Sequence, residues 1–293
     1  MTARAWVLFV LSAVIWGVPY LFIKIAVATG MSPAFVAWSR IVIAAALLLP
    51  LAVRRNALRG LRDRAGAILA YTACEVAVPF VLIAVGEQYI TSSLAAILVS
   101  TMPLMVALLS MRLAGGERLT RPRLFGLLIG FAGVVALLGV DVAGRPSELL
   151  GAALVLVATL GYATAPLIVS RRLADLDPLG PVTASLLVAS VALLPAGIAA
   201  FPDGMPAPAA LWAIGVLGVV CTAAGLIVFF RLIAEAGPSR ASVITYLNPL
   251  VAVVVGVVAL GEHLGVVSIL GLLLILAGSW VSTGGSHPAE SPR

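Results

Sequence analysis

The sequence predicts an all-α polytopic membrane protein, with ten transmembrane helices arranged as two inverted five-helix repeats. Three observations predict it. First, 62% of the 293 residues are hydrophobic and only 10% are charged, against about 45–50% and about 25% in soluble domains. Second, the apolar stretches run continuously instead of alternating, which marks helices rather than barrel strands. Third, a pattern in the first half of the chain returns in the second. A bilayer core about 30 Å thick takes roughly 20 helical residues per crossing. Ten crossings therefore use nearly the whole chain and leave no room for a soluble domain.

Charges and Gly/Pro breaks place the spans at residues 5–27, 33–52, 65–86, 91–112, 122–140, 148–169, 178–200, 209–232, 241–260 and 265–283. The first contains Ala26-Val27-Ala28, which resembles a signal-peptide cleavage site. Pro19 and Lys24 interrupt its apolar run and it is long enough to cross, so it reads as a helix that stays. The second span opens on Pro33 and carries Arg40; the third carries Glu75 near its middle; the fourth carries Pro103. Pro79, Pro166, Pro195 and Pro249 fall inside the third, sixth, seventh and ninth. Each proline frees a carbonyl and bends its helix, which is tolerated only against protein or a wet cavity. Cys74 and Cys221 are apolar fillers, and two Cys with two His give neither a disulfide framework nor a metal site. No cofactor is expected.

Orientation follows from the 18 basic residues. With both termini in the cytoplasm, fifteen of them fall in inside segments, including the run Arg54, Arg55, Arg59, Arg62 and Arg64. The outside loops hold Arg145 alone, and Lys24 and Arg40 lie within spans. That bias obeys the positive-inside rule, and the expected location is the cell (inner) membrane. The net charge of +6 is thus a topology signal and not a nucleic-acid patch. The partners expected are the lipid bilayer and a small-molecule substrate, with the chain a monomer or homodimer.

The repeat is specific. Gly116-Glu117-Arg118-Leu119, Gly126-Leu127-Leu128 and Ala132-Gly133 return 145 residues later as Gly261-Glu262-His263-Leu264, Gly271-Leu272-Leu273 and Ala277-Gly278. Met102-Pro103-Leu104 matches Asn248-Pro249-Leu250, and Ser92-Ser93-Leu94-Ala95 falls on Pro238-Ser239-Arg240-Ala241. The chain divides into residues 1–140, 141–283 and a short cytoplasmic tail, 284–293. Five spans per copy is an odd number, so the second copy enters the membrane inverted. Inverted repeats characterise secondary transporters, whose similar halves rock around a midplane site.

Ile15-Trp16-Gly17, Pro33, Arg40, the Pro103 and Pro249 helices, the two Gly-Glu-x-Leu turns and the segment Gly-Pro-Ser-Arg-Ala at 237–241 resemble the drug/metabolite transporter superfamily. The likeness is to its ten-helix branch with two EamA domains. It implies export of amino acids and other small metabolites, or carriage of sugars and nucleotide-sugars, through a cavity between helices 1–4 and 6–9. It also implies that helices 5 and 10 are peripheral. Here those two carry Gly126, Gly130 and Gly133, and Gly271 and Gly278, small-residue faces suited to close packing. The second half departs from the first, with Ser185 matching Arg40 and Leu160 matching Trp16.

An ionisable residue inside a bilayer is a functional hypothesis by default. Lys24 lies about 6 Å below a helix end and reads as snorkelling to the surface. Arg40 lies about 12 Å deep and Glu75 near the midplane. They either pair structurally or serve the site, with Arg40 attracting an anionic group and Glu75 binding a substrate amine or a proton. Glu75 is therefore the candidate for proton coupling. Trp16, Tyr20, Tyr71, Phe80, Thr101, Tyr162, Thr222, Tyr246 and Asn248 complete the expected cavity lining, a set suited to a flat or apolar solute with a few directed hydrogen bonds. Trp6 and Trp280 read as interfacial anchors.

The leading expectation is a secondary transporter exporting small metabolites such as amino acids by alternating access. Uptake or exchange of sugars or phosphorylated metabolites is the alternative, and would favour more deep basic residues than Arg40. The spans contain no Asp, no His and no HExxH, so a membrane-embedded enzyme lacks its parts. No phosphate-cradling Gly-rich loop with Lys is present, so the chain itself does not hydrolyse ATP. Without rings of like charge, a channel is disfavoured.

Overall fold

The computed structural model describes residues 2–113, 120–138, 145–236 and 244–283. The first Gly-Glu-x-Leu turn at 116–119, the segment 237–241 and the tail 284–293 lie outside the described residues. Those that are described form helices and connecting turns, with no strand among them.

Among the described residues, six helical stretches are long and apolar enough to cross a bilayer: Ala3–Ala28, Pro33–Arg54, Arg62–Gly86, Ser92–Leu109, Pro146–Arg172 and Pro208–Leu232. Shorter apolar helices follow the same chain order. The elements are α1 (Ala3–Gly17), α2 (Pro19–Ala28), α3 (Pro33–Arg54), α4 (Ala65–Tyr71), α5 (Val78–Gly86), α6 (Ser92–Val99), α7 (Met102–Leu113) and α8 (Arg121–Ala136). The second half contains α9 (Pro146–Arg172), α10 (Leu179–Ala192), α11 (Leu194–Ala199), α12 (Pro208–Val216), α13 (Gly225–Ala236), α14 (Ile244–Leu260) and α15 (Val266–Thr283).

Proline explains most of the interruptions. Pro19, Pro103 and Pro195 each stand in the first turn of a helix that resumes after a break, where the missing N–H costs nothing. Pro50, Pro166 and Pro249 instead sit inside unbroken helices. Two interruptions are of another kind. A π-helical turn, Thr72–Ala77, joins α4 to α5, and a second, Leu217–Ala224, joins α12 to α13. Their first residues are 145 positions apart, the offset of the sequence repeat. A π turn inserts an extra residue and is found disproportionately at functional sites.

The exterior is as apolar as the interior: Trp212, Val191 and Phe131 are exposed, while Ile41, Leu48 and Leu186 are buried. That is the surface of a body whose solvent is lipid. The helices of the two halves interleave. α3 packs on α10 and on the second π turn, α5 on α9, α1 on α13 and α14, and α6 on α14. α8 and α15 pack on each other along their glycines. A Cβ on Gly126 meets Ser282 N at 2.5 Å, one on Gly278 meets Gly130 N at 2.4 Å, and one on Gly133 meets Gly271 O at 2.8 Å. Only hydrogen at these positions lets the backbones approach so closely.

The loops gather at two ends. At the arginine-rich end Arg4 pairs with Glu235 (3.2 Å) and Arg64 with Asp175 (3.1 Å). At the opposite end Phe35 meets Phe201, and the turn between α5 and α6 is tied to α2 and to the loop before α15.

Candidate functional site

Arg40 is the centre of the interior cluster. It is 6% exposed, and α3 carries it against the second π turn. Its Nη2 and Nε donate to Thr222 Oγ1 at 3.1 and 3.4 Å. The Thr222 hydroxyl in turn donates to Leu217 O at 2.8 Å, five residues back, a reach the π turn allows. The guanidinium carbon lies 4.0 Å from the centre of the Phe80 ring, a cation–π contact strengthened by the lack of competing water. Tyr20 and Tyr162 stand within electrostatic reach of the guanidinium. Arg40 thus touches both Phe80 and Thr222.

No ion pair joins Arg40 to Glu75, so the simple structural pair is not formed; an arginine and a threonine from opposite halves meet instead. Glu75 lies on the first π turn, half-buried, with Tyr71 and Tyr162 in electrostatic reach. Tyr162 lies within electrostatic reach of both deep charges.

The remaining candidates are spread more widely. Trp16 packs on Phe229 at 4.6 Å and close to Gly225, just after the Thr222 turn. Tyr246 packs on Trp280 at 6.1 Å, and Trp280 is exposed. The Asn248 amide, oriented so that its nitrogen donates, reaches Ala13 O (3.3 Å) and Ile244 O (3.0 Å), an inter-helix tie between α14 and α1. Thr101 is buried at the break between α6 and α7 and donates to Leu98 O at 2.7 Å. Pro103 opens α7, and Pro249 is buried in α14. Among the described residues, Thr101, Pro103, Asn248 and Pro249 have no hydrogen bond or ring contact with Arg40, Phe80 or Thr222. A surface cavity of about 470 Å³ lies between α4 and α9, where Ala70, Thr164 and Arg172 line it. It shares no residue with the Arg40 cluster, and the converging side chains locate the candidate site better than this hollow does.

Sequence reasoning missed a second cluster, at the arginine-poor end. Lys24 does not snorkel outward. Its ammonium turns inward and donates to Glu87 O at 2.6 Å and Ile90 O at 2.8 Å, because the carbonyls ending α5 offer it a negative helix terminus. Glu262, seen in the sequence as part of a repeated turn, accepts from the N–H groups of Ser92 (2.7 Å) and Ser93 (2.9 Å) and from both serine hydroxyls. Partial burial pushes its carboxyl up, but the Ser93 and Ser92 hydrogen bonds together outweigh that and hold it below the usual carboxylate range. Gly256 makes room, since a Cβ there would lie 2.6 Å from Glu262 Oε2. Beneath this turn Glu87 is 0% exposed, and neither carboxyl oxygen has a hydrogen-bond partner. Nothing in the sequence singled these three out, since Asp141, Arg145, Glu148, Asp203 and His263 are expected at the same end.

Several comparisons converge on one kind of protein. The EamA-like transporter family matches twice, over residues 3–139 and 149–284. An uncharacterized transporter of Archaeoglobus fulgidus is 26% identical over 95% of this chain and 98% of its own length. The uncharacterized inner membrane transporter YedA of Escherichia coli (strain K12) is 30% identical over 90% of this chain and 85% of its own. A crystal structure superposes with a TM-score of 0.67 over 97% of both chains at 20% identity, a likeness of fold alone. With a paired match spanning nearly every helix described above, this multi-pass membrane protein belongs to the EamA-like transporter family.

Proposed function

We propose that the chain is a secondary transporter that exports small metabolites such as amino acids by alternating access. In this reading ten spans form two inverted five-helix repeats, residues 1–140 and 141–283, with both termini in the cytoplasm. The observation that carries it is the contact of Arg40 with Thr222 across the two halves, deep in a protein of a transporter family. A buried guanidinium whose partners are a hydroxyl and a ring, not a carboxylate, retains its charge for an anionic group. An amino acid's carboxylate fits it, and Glu75 serves the amine or a coupling proton.

Two features support the inverted arrangement. The π turns recur at the repeat offset. The helix contacts also come in sets that a two-fold axis exchanges: α1 on α13 answers α5 on α9, while α3 on α10 and α8 on α15 each map onto themselves. Similar halves give two open states of similar energy, the requirement for alternating access.

The test is growth of cells overexpressing the protein across a panel of toxic amino-acid analogues. Export predicts selective resistance, lost in Arg40→Ala and Glu75→Gln at unchanged membrane level. Increased sensitivity would reverse the direction, and full activity of both variants in proteoliposomes would sink the site.

A further inference from the structure

The arginine-poor end holds an arrangement that the Arg40 site does not use. The turn from Glu87 to Ser93 is held from both sides: Lys24 takes the carbonyls of Glu87 and Ile90, and Glu262 takes the N–H groups and hydroxyls of Ser92 and Ser93. Below it the Glu87 carboxyl is fully buried with two unpartnered oxygens. The charged and titratable groups that act on it are Lys24 from α2, Glu262 from the loop before α15, Arg40 from α3 and Tyr20 from α2.

We propose that Glu87 is a proton-binding site linked to the closure of this end: it holds a proton while the turn is latched and gives it to water when the latch parts. The occupant is a proton rather than a solute because Glu87 has no exposed surface, and a proton needs no room. An ionised carboxylate that accepts no hydrogen bond in a fully buried place is among the costliest arrangements in a protein. The neutral acid is the form that the closed structure tolerates.

The latch gives the proton a consequence. With Glu87 neutral, the Lys24 ammonium stays on the two backbone carbonyls. When the carboxyl loses its proton to the aqueous side, its negative charge competes for the same ammonium, and the turn loses the donor that pins its carbonyls. The step is a single proton transfer between Glu87 and water, with no other bond made or broken. It rests on the transport reading for the meaning of closure and adds to it a second carboxyl, distinct from Glu75.

The test is hydrogen–deuterium exchange of the segment 87–95 in the purified full chain in lipid nanodiscs, corrected for the intrinsic pH dependence of exchange. One-proton linkage opens the wild-type segment about tenfold more per pH unit once Glu87 ionises. Glu87→Gln, a permanent neutral mimic, keeps the segment protected at every pH, and Lys24→Gln leaves it fast at every pH. His263 is exposed in the neighbouring loop, so His263→Asn is the control and retains the wild-type slope. A wild-type slope preserved in Glu87→Gln overturns the proposal, as does a flat wild-type profile. Should Glu87→Gln fail to fold, infrared difference spectra of the wild type decide. They show a protonated-carboxyl band that persists in Glu75→Gln if the proposal holds and vanishes there if Glu75 is its source. Neither measurement uses a solute. A protein that shows the linkage and moves nothing in vesicles therefore contradicts the transport reading and leaves this one standing.

Discussion

Lys24 and Glu262 hold opposite ends of one short turn, the first by its carbonyls at Glu87 and Ile90, the second by its N–H groups at Ser92 and Ser93. A cation thus meets the end of one helix and an anion the start of the next, each in the sense the helix dipole favours. The two residues lie in different halves of the chain, so the turn is an electrostatic seam between them.

Glu262→Ala removes four hydrogen bonds to a charged acceptor and costs about 1–3 kcal/mol, read as a lower melting temperature in detergent. The folded value of this carboxyl lies below its unfolded value. Its stabilisation is therefore complete above the unfolded value and is lost as pH falls through the folded one. Acidification below the carboxylate range should destabilise the wild type, and Glu262→Gln should flatten that part of the profile.

Arg40→Lys keeps the charge but loses the fork that Nε and Nη2 direct at Thr222. In the proteoliposome assay it should transport more weakly than the wild type, and Arg40→Ala should fall to background. Thr222→Val leaves the guanidinium buried with its acceptor gone, and should lower transport in a double-mutant cycle that is not additive with Arg40→Lys.

Glu75→Gln should abolish net transport without preventing insertion, and Glu75→Asp should restore part of it. Measured against an imposed pH gradient, the glutamine variant should show no gradient dependence. Transport that stays gradient-driven in that variant removes Glu75 from the coupling path.

Gly278→Ala places a Cβ 2.4 Å from the backbone nitrogen of Gly130, where only helix separation relieves the clash. Overpacking of this kind costs about 1–3 kcal/mol. Gly215→Ala, where nothing lies within 4 Å, should be neutral or stabilising, and thermal melting of the two variants separates packing from composition.

Much of this was legible in the sequence because a bilayer imposes strict rules. Continuous apolar runs give the helices, and the glycines of α8 and α15 announce close packing. Arg40 and Glu75 stood out because charge at depth is rare. What sequence could not give was the partner of each charge. Lys24 looked free to reach the surface because its inward partners are backbone carbonyls, which every residue has. Glu87 gave no signal, because its burial depends on how α2, α3 and the loop before α15 converge. The Asn248 tie to Ala13 O was also out of reach, because depth does not say which neighbour a side chain meets. The π turns left no mark, since an extra residue in an apolar helix changes no pattern.

The glycine seam between α8 and α15 also bears on how the protein is made. Val266 is synthesised 130 residues after Ala136, about ten seconds at ordinary elongation rates. Through that interval α8 sits in the membrane with its flattest, least covered face waiting for a helix that does not yet exist. Lipid, or a chaperone of the insertion machinery, must occupy it first, and α15 has to displace that occupant when it emerges.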